Sequence, residues 1–293
     1  MITSFLQYIQ YEKNYSSHTV LSYKTDLQKF CSFLKQYSVD FNPKTITSGD
    51  IRQWVLESME GGESPRTINR KISTLRSFYR FLNEKLWKEP YDPVAEVVVP
   101  KLKKSLPYFF KEKELDAVLE IELAEDSFEG IRNRLIIDLF YQTGIRVSEL
   151  VLIKNVDVDF VLRNISVVGK RNKQRLIPVG KNILEAIKKY ISVRDKVVKS
   201  ECEFLFVNEK GEKLYREKVY HIVKLLMSGV SSLQKRSPHV LRHTFATTML
   251  NNGADLNVVK TILGHANLAA TEIYTHSTFE QLQSIYKQSH PRG

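Results

Sequence analysis

The sequence predicts a mainly helical protein of two domains, the second of which also contains a small antiparallel β-sheet. Three observations lead to this fold class. Residues 1 to 85 carry apolar side chains at helical spacing throughout. Four prolines then punctuate residues 86 to 107, which is typical of a semi-rigid linker. From residue 108 to residue 293, helical patterns are mixed with a few short runs typical of strands.

Composition favours a globular protein with a polyanionic partner. The 293 residues suffice for two domains with cores, and 42% hydrophobic with 26% charged residues is ordinary. The net charge of +11 indicates a nucleic acid as the partner only if the basic residues cluster on one surface. No run approaches the ~18 apolar residues that span a bilayer, and the first residues do not resemble a leader. We therefore expect a cytoplasmic protein without membrane contact, and no disulfide between Cys31 and Cys202.

Four helices are predicted in the first domain. A serine or threonine precedes the second, third and fourth helix, and the fourth also has Pro65 at its first position. This fourth helix, over residues 65 to 85, has apolar residues on one side and only Glu84 as an acidic residue. Its basic residues are Arg66, Arg70, Lys71, Arg76, Arg80 and Lys85.

The outer face of this fourth helix is a predicted contact with DNA. The arginines that share it are Arg66, Arg70, Arg76 and Arg80. A solvated helix face normally mixes both signs of charge, so a face of one sign favours contact with a phosphate backbone. The linker adds Lys101, Lys103 and Lys104 as weaker predictions, since linker lysines often serve solubility alone.

Five helices and four strands are predicted between residues 108 and 230. The helices are 111 to 120, 131 to 142, 147 to 153, 181 to 194 and 216 to 228, and the strands are 157 to 161, 164 to 168, 174 to 178 and 203 to 207. The hairpin turns are expected at 162 to 164, 169 to 173 and 209 to 211. The second of these turns carries Lys170, which could be an ordinary soluble turn residue.

A phosphate site is predicted where a helix begins at Ser237-Pro238. Serine at the N-cap and proline at the first helical position are start signals, and Asn252-Gly253 is a stop signal. His239 and Arg242 lie three residues apart on one face of the first turn. Free backbone N–H groups and the helix dipole favour an anion at this end. No Cys or carboxylate lies at ligand spacing from the two histidines of this segment, His239 and His243, so no metal is expected.

The order of the motifs resembles the tyrosine site-specific recombinases, most closely their bacterial Xer branch. TGIRVSEL at 143 to 150 is followed by a Gly-Lys hairpin, then PHVLRH, then ILGH, then Tyr274 nine residues on. The resemblance covers nearly the whole chain, including its ending HPRG. It implies a C-shaped clamp made of a helical core-binding domain and a catalytic domain.

The resemblance also implies the catalytic residues. These are Arg146, Lys170, His239, Arg242, His265 and Tyr274, and Glu149 matches an acidic residue that orients the first arginine. Two forked guanidinium groups can hold the oxygens of a phosphodiester, where lysines would act only as point charges. Tyrosine has a pKa near 10, so the nucleophile needs a base, here His239, and nearby cations. Lys170 would protonate the leaving 5′ oxygen, and His265 would bind a phosphate oxygen.

The partners follow from the same resemblance. A 3′-phosphotyrosyl link would conserve bond energy, so no cofactor is expected. Exchange between two double-stranded recombination sites implies a homo- or hetero-tetramer. Its protomers would be joined through the C-terminal helix at 278 to 288. A septal DNA translocase would be a regulator. A terminal helix packed on its own domain is the alternative. A DNA-binding protein without catalysis, a relaxing topoisomerase, an invertase and a mobile-element integrase also stay open.

Overall fold

The computed structural model forms two compact units, Met1–Ser105 and Leu106–Gly293. It describes residues 1–101, 108–120, 127–169, 174–198, 201–231, 233, 235–264 and 276–292, without the side chains of 119, 120 and 276–278. Among these residues, no helix has both the length and the apolar character that a membrane crossing requires.

The described residues of the first unit, 1 to 101, form four helices, as predicted. They are α1 (Ile2–Gln7), continued by a π-helical turn (Tyr8–Glu12), α2 (Ser17–Gln36), α3 (Ser48–Glu60) and α4 (Pro65–Lys85). Side-chain oxygens of Ser16, Thr47 and Ser64 accept backbone N–H groups at the starts of α2, α3 and α4. A core rich in aromatic residues, including the fully buried Phe30 and Phe78, holds the helices together.

Residues 86 to 101 pack on the four helices of the first unit, whereas a semi-rigid linker was predicted there. Val94 and Val97 are buried in the core of that unit. The Tyr91 hydroxyl donates to the carbonyl of Ile46 at 2.5 Å, and the Asn69 amide donates to the carbonyl of Pro100 at 3.1 Å. Proline spacing indicated an irregular segment, but not that its apolar residues would complete the core of the helices before it.

In its described residues the second unit combines helices with a three-stranded antiparallel sheet, which confirms the predicted fold class. Its helices before residue 230 are α5 (Glu112–Glu120), α6 (Phe128–Thr143), α7 (Val147–Leu150), α8 (Lys181–Val197) and α9 (Arg216–Ser228). Those after it are α10 (Pro238–Asn251), α11 (Leu256–Leu263) and α12 (His276–Ser289). The strands are β1 (Val158–Asp159), β2 (Asn164–Val168) and β3 (Gln174–Pro178), in the order β1-β2-β3.

The strand expected at 203 to 207 does not join the sheet. This segment instead forms isolated bridges, from Phe204 to Lys154 and from Val207 to Lys213. Its backbone is further fixed because the N–H of Leu205 donates to the carbonyl of Ile153 at 2.8 Å. Leu205, Phe206 and Val207 are buried, and the segment is held by these isolated bridges and single hydrogen bonds.

Helix α6 is the centre of the second unit. Its residues Ile136, Ile137 and Phe140 are fully buried, and α8 and α10 pack against it. The helix ends at Gly144, which has a left-handed φ of 58°. A Cβ at this glycine would lie 2.6 Å from Phe245 Cδ1. The chain therefore turns sharply into α7 at a point where Phe245 of α10 and Leu263 of α11 pack against the turn.

The terminal helix α12 packs on its own unit. Leu282 and Tyr286 are buried, and the Gln283 amide donates to the carbonyl of Leu162 at 3.4 Å. The Asn252 amide at the end of α10 donates to the carbonyl of Ser289 at 2.9 Å. The apolar side of this helix, which was expected to meet a neighbouring protomer, is covered by the same chain in this structure.

Candidate functional site

Arg146 occupies the N-cap position of α7, two residues after the turn at Gly144. Its backbone N–H donates to Glu149 Oε2 at 2.9 Å, and its Nη1 donates to Glu149 Oε1 at 2.7 Å. Its Nη2 donates to the carbonyl of Gly264 at 2.9 Å. The side chain remains 32% exposed. Arg146 is thus held in place by three hydrogen bonds while part of its side chain stays accessible.

Glu149 is a buried carboxylate shared by two arginines. Its side chain is 2% exposed, and Arg175 from β3 donates to Oε1 at 2.7 Å and to Oε2 at 2.9 Å. Burial alone would raise the pKa of Glu149, but the hydrogen bonds and charges of Arg175 and Arg146 outweigh it and hold the pKa below its usual value. The carboxylate is therefore kept ionised beside Arg146.

Arg242, the fifth residue of α10, reaches the same region. Its Nη1 donates to the carbonyl of Gly144 at 2.5 Å, and its Nη2 donates to the carbonyl of Leu263 at 2.7 Å. Burial, followed by the charges of Arg146 and Arg175, lowers the pKa of Arg242 to about 9. The depressed pKa records how closely these cations are gathered, and an anion bound among them would relieve their repulsion.

Three arginines together cap the carboxyl end of α11. Arg175 Nε donates to the carbonyl of Ile262 at 2.9 Å. Arg242 donates to the next carbonyl, that of Leu263, and Arg146 donates to the carbonyl of Gly264. The last carbonyls of a helix lack partners within the helix and carry its negative dipole end. The cations therefore fix the point from which the chain continues to His265.

The structure describes half of the six predicted catalytic residues. Arg146 and Arg242 converge, as given above, and His239 is exposed on α10, where its ring centroid lies 6.2 Å from that of Tyr220. The expected N-cap hydrogen bond from Ser237 is not formed, although the helix begins at Pro238 as predicted. The remaining residues, Lys170, His265 and Tyr274, lie outside the described residues.

The predicted DNA-contact residues differ in their surroundings. Arg66 and Arg80 are exposed on α4. Arg70 is also exposed but forms an ion pair with the buried Asp26, and it donates to Ser22 Oγ at 2.6 Å. Arg76 donates to the carbonyl of Val97 at 3.4 Å. Two of the four arginines therefore also brace the first unit.

Lys71, one of the basic residues counted on α4, does not lie on the exposed face of the helix. This lysine is buried, where its Nζ lies 2.6 Å from Glu63 Oε2 and 4.8 Å from the centroid of the Trp54 ring. At 100° per residue it belongs to the apolar side of the helix, not the outer one. Lys85 pairs with Glu12 at 3.2 Å. In the linker, Lys101 is exposed, whereas Lys103 and Lys104 fall outside the described residues.

Sequence reasoning did not single out Arg175, although a signal for it was present. In β3, Arg175 alternates with Leu176 and lies on the same face as the buried Ile177, and it stands opposite the buried Val167 of β2. An arginine at an inward-facing position of a strand requires a buried partner. That partner is Glu149, which the sequence indicated only as a residue that orients Arg146.

The fold and this cluster of arginines define the protein as a member of the phage integrase family. The family model matches residues 109–281, and the model of the N-terminal SAM-like domain of phage integrases matches residues 2–85. The resemblance drawn from the motifs is thereby confirmed. Within the described residues, no group of His, Cys, Asp or Glu side chains could hold a metal ion.

Individual relatives narrow the comparison to the Xer branch. A protein named tyrosine recombinase XerC from Bacillus licheniformis is 40% identical over 297 residues, covering 100% of this chain and 96% of the relative. Another of that name from Staphylococcus aureus is 38% identical over 293 residues, covering 99% of this chain and 96% of the relative. Among solved structures, the chain is similar to XerH bound to a palindromic difH substrate, a post-cleavage complex. The alignment covers 97% of this chain and 83% of the XerH chain, with a TM-score of 0.73 at 23% identity.

Proposed function

We propose that this tyrosine recombinase cuts and rejoins DNA strands at a specific site with Tyr274 as its nucleophile. The observation that carries the proposal is the pairing of Arg146 and Arg242 on neighbouring carbonyls at the end of α11, from which the chain continues to His265 and Tyr274. Two guanidinium groups gathered in one place suit a phosphodiester, whose non-bridging oxygens gain charge during attack.

The roles of the site residues follow from their chemistry. Arg146 and Arg242 would bind the two non-bridging oxygens and stabilise the pentavalent transition state. His239, on the exposed side of α10, would remove the proton of the tyrosine hydroxyl. His265 would donate a hydrogen bond to a phosphate oxygen, and Lys170 would give its proton to the departing 5′ oxygen.

The proposed reaction is balanced without a cofactor. Tyr274 Oη forms a bond to phosphorus as the bond from phosphorus to the 5′ oxygen breaks, leaving a 3′-phosphotyrosyl link and a 5′ hydroxyl. Attack by a 5′ hydroxyl from a second duplex then reverses the step. Because one phosphate ester replaces another, the bond energy is kept, and two rounds of exchange would pass through a Holliday junction.

The assembly belongs to the same proposal. One site cuts one strand, so exchange between two duplexes requires four protomers, identical or of two kinds. If α12 serves as the contact between protomers, it must first leave the groove of its own unit, which buries Leu282 and Tyr286. The similarity to proteins named XerC supports a place in the Xer branch. The proposed role there is to resolve chromosome dimers before cell division, in the cytoplasm, with a septal translocase as regulator.

A nicked suicide substrate tests the proposal. Loss of a short fragment after cleavage prevents religation, so the wild-type chain should accumulate a covalent adduct with DNA. Tyr274→Phe should bind the same DNA and form no adduct. Persistence of the adduct in that variant would overturn the choice of nucleophile. Relaxation of supercoiled DNA without recombinant products would instead favour a topoisomerase.

A further inference from the structure

We propose that Arg175 is a positioning residue that fixes the orientation of Arg146 and the end of α11 relative to each other through Glu149. This inference rests on the proposed function, since it concerns the same site. Arg175 comes from the sheet, Glu149 from α7 and Ile262 from α11, so one side chain joins three elements of the second unit.

Arg175 is built to hold other residues rather than to touch DNA. Its side chain is 6% exposed, whereas that of Arg146 is 32% exposed. Three of its nitrogens are engaged, since Nη1 and Nη2 bind the two oxygens of Glu149 and Nε binds the carbonyl of Ile262. The two N–H groups that remain belong to a side chain with little exposed surface for a phosphate.

Arg175 affects the position of Arg146 because both arginines bind the carboxylate of Glu149. Glu149 Oε1 accepts from Nη1 of both arginines, each at 2.7 Å. The bidentate grip of Arg175 fixes the plane of the carboxylate, and that plane sets the direction from which Arg146 can bind it. A lysine at position 175 would supply a charge but could not hold both oxygens and the Ile262 carbonyl at once.

Packing at Gly264 provides independent support. A Cβ at Gly264 would lie 3.1 Å from both Cδ and Nη1 of Arg175. The guanidinium group therefore lies directly against the residue that precedes His265, and Gly264 adopts a left-handed φ of 66° there. Arg175 thus sets the place where the segment leading to Tyr274 begins, in addition to the orientation of Arg146.

Single-turnover cleavage of the suicide substrate tests this role in Arg175→Lys. We expect the rate of adduct formation to fall by about 30-fold, as a small displacement of a catalytic group can cost up to ~100-fold. The dissociation constant for uncleaved DNA should change by less than about twofold, since Arg175 does not face the ligand. Arg194→Lys is the matched control because Arg194 is also buried in this unit and binds backbone carbonyls, those of Phe204 and Leu205, outside the site. It should cleave at the wild-type rate per folded molecule.

The pH dependence of cleavage separates positioning from general loss of structure. In Arg175→Met, Glu149 loses the arginine that contributes most to lowering its pKa. It keeps the hydrogen bonds of Arg146 and the electrostatic interaction with Arg242. The pKa of the buried carboxyl should rise, so it becomes protonated at higher pH and releases Arg146. The acid limb of the rate profile should therefore move to higher pH in Arg175→Met and much less in Arg175→Lys, which keeps a positive charge.

The outcomes distinguish this inference from the proposed function. If Tyr274→Phe retains the adduct, the nucleophile is wrong whatever Arg175 does. If the wild type forms the adduct and Tyr274→Phe does not, wild-type rates in folded Arg175→Lys would overturn the positioning role. An equal loss of rate in Arg194→Lys, or an unshifted acid limb in Arg175→Met, would also overturn it. Should Arg175→Met fail to fold, the Arg175→Lys rate and its thermal melt decide alone.

Discussion

Lowering the pH from 7 to 5 should weaken the second unit through His290, a buried histidine just beyond α12. Its side chain lies among Tyr141, Phe245 and Tyr286. Nε2 lies 3.2 Å from the carbonyl of Tyr141, and Nδ1 accepts the backbone N–H of Arg292 at 3.1 Å. An Nδ1 that accepts cannot carry a proton, so the hydrogen bonds define a neutral ring with its proton on Nε2.

The magnitude follows from the shift in pKa. Burial lowers the pKa of His290 from its ordinary 6.5 to about 4. Between these values the unfolded chain binds a proton that the folded chain does not, so stability falls as the pH falls and levels off below the folded pKa. At about 1.4 kcal/mol per pKa unit the total is about 3 kcal/mol, of which about 2 kcal/mol is lost between pH 7 and pH 5.

Hydrogen exchange at the amides of α12 is the suitable assay. Both tryptophans, Trp54 and Trp87, lie in the first unit, so their fluorescence would not follow the second. After correction for intrinsic exchange, the opening free energy in the wild type should drop by about 2 kcal/mol between pH 7 and pH 5. His290→Gln should lose that drop, although it starts from a lower stability.

A matched control isolates the effect of this histidine. His221 is exposed on α9 of the same unit, so His221→Gln should keep the wild-type pH dependence. The neighbouring Asp138, whose pKa burial raises, titrates in all three proteins. Equal pH dependence in the wild type and His290→Gln would refute the reasoning, because it would show that His290 does not stay neutral in the folded chain.

Further substitutions test other parts of the structure. Gly144→Ala should destabilise the second unit by about 3 kcal/mol in urea unfolding, because it combines a left-handed φ with overlap against Phe245; unchanged stability would contradict the packing of α6 on α10. Arg66→Ala and Arg80→Ala should each reduce the slope of log affinity for DNA against log salt concentration by about 1. Arg70→Ala is the comparison for these variants, and it should also lower the thermal stability of the first unit, because it leaves the buried Asp26 unpaired.

Regular periodicity made much of the fold predictable from sequence. The start of α4 at Pro65, the end of α6 at Gly144, and β2 and β3 all appear where the residues indicated them. The packing of 86 to 101 on the first unit could not be read in the same way. It depends on contacts between distant residues, such as Tyr91 with Ile46, which no local pattern encodes.

The site was predictable in its residue types but not in its connections. The motifs named Arg146 and Arg242, yet they did not reveal that both arginines bind carbonyls at the end of α11. The contribution of Arg175 depends on the register of β3 and on a glutamate 26 residues earlier in the chain. Lys71 shows why a count of charges is not enough, since the helical period places this lysine on the buried side of α4.

The most direct test of the account is the chemical identity of the bond between protein and DNA. After the suicide substrate has reacted, digestion of the adduct and mass spectrometry should find a nucleotide on the peptide that contains Tyr274, joined through a 3′ phosphate, with a free 5′ hydroxyl on the released strand. A nucleotide on any other residue, or a 5′-phosphate link to Tyr274, would contradict the account.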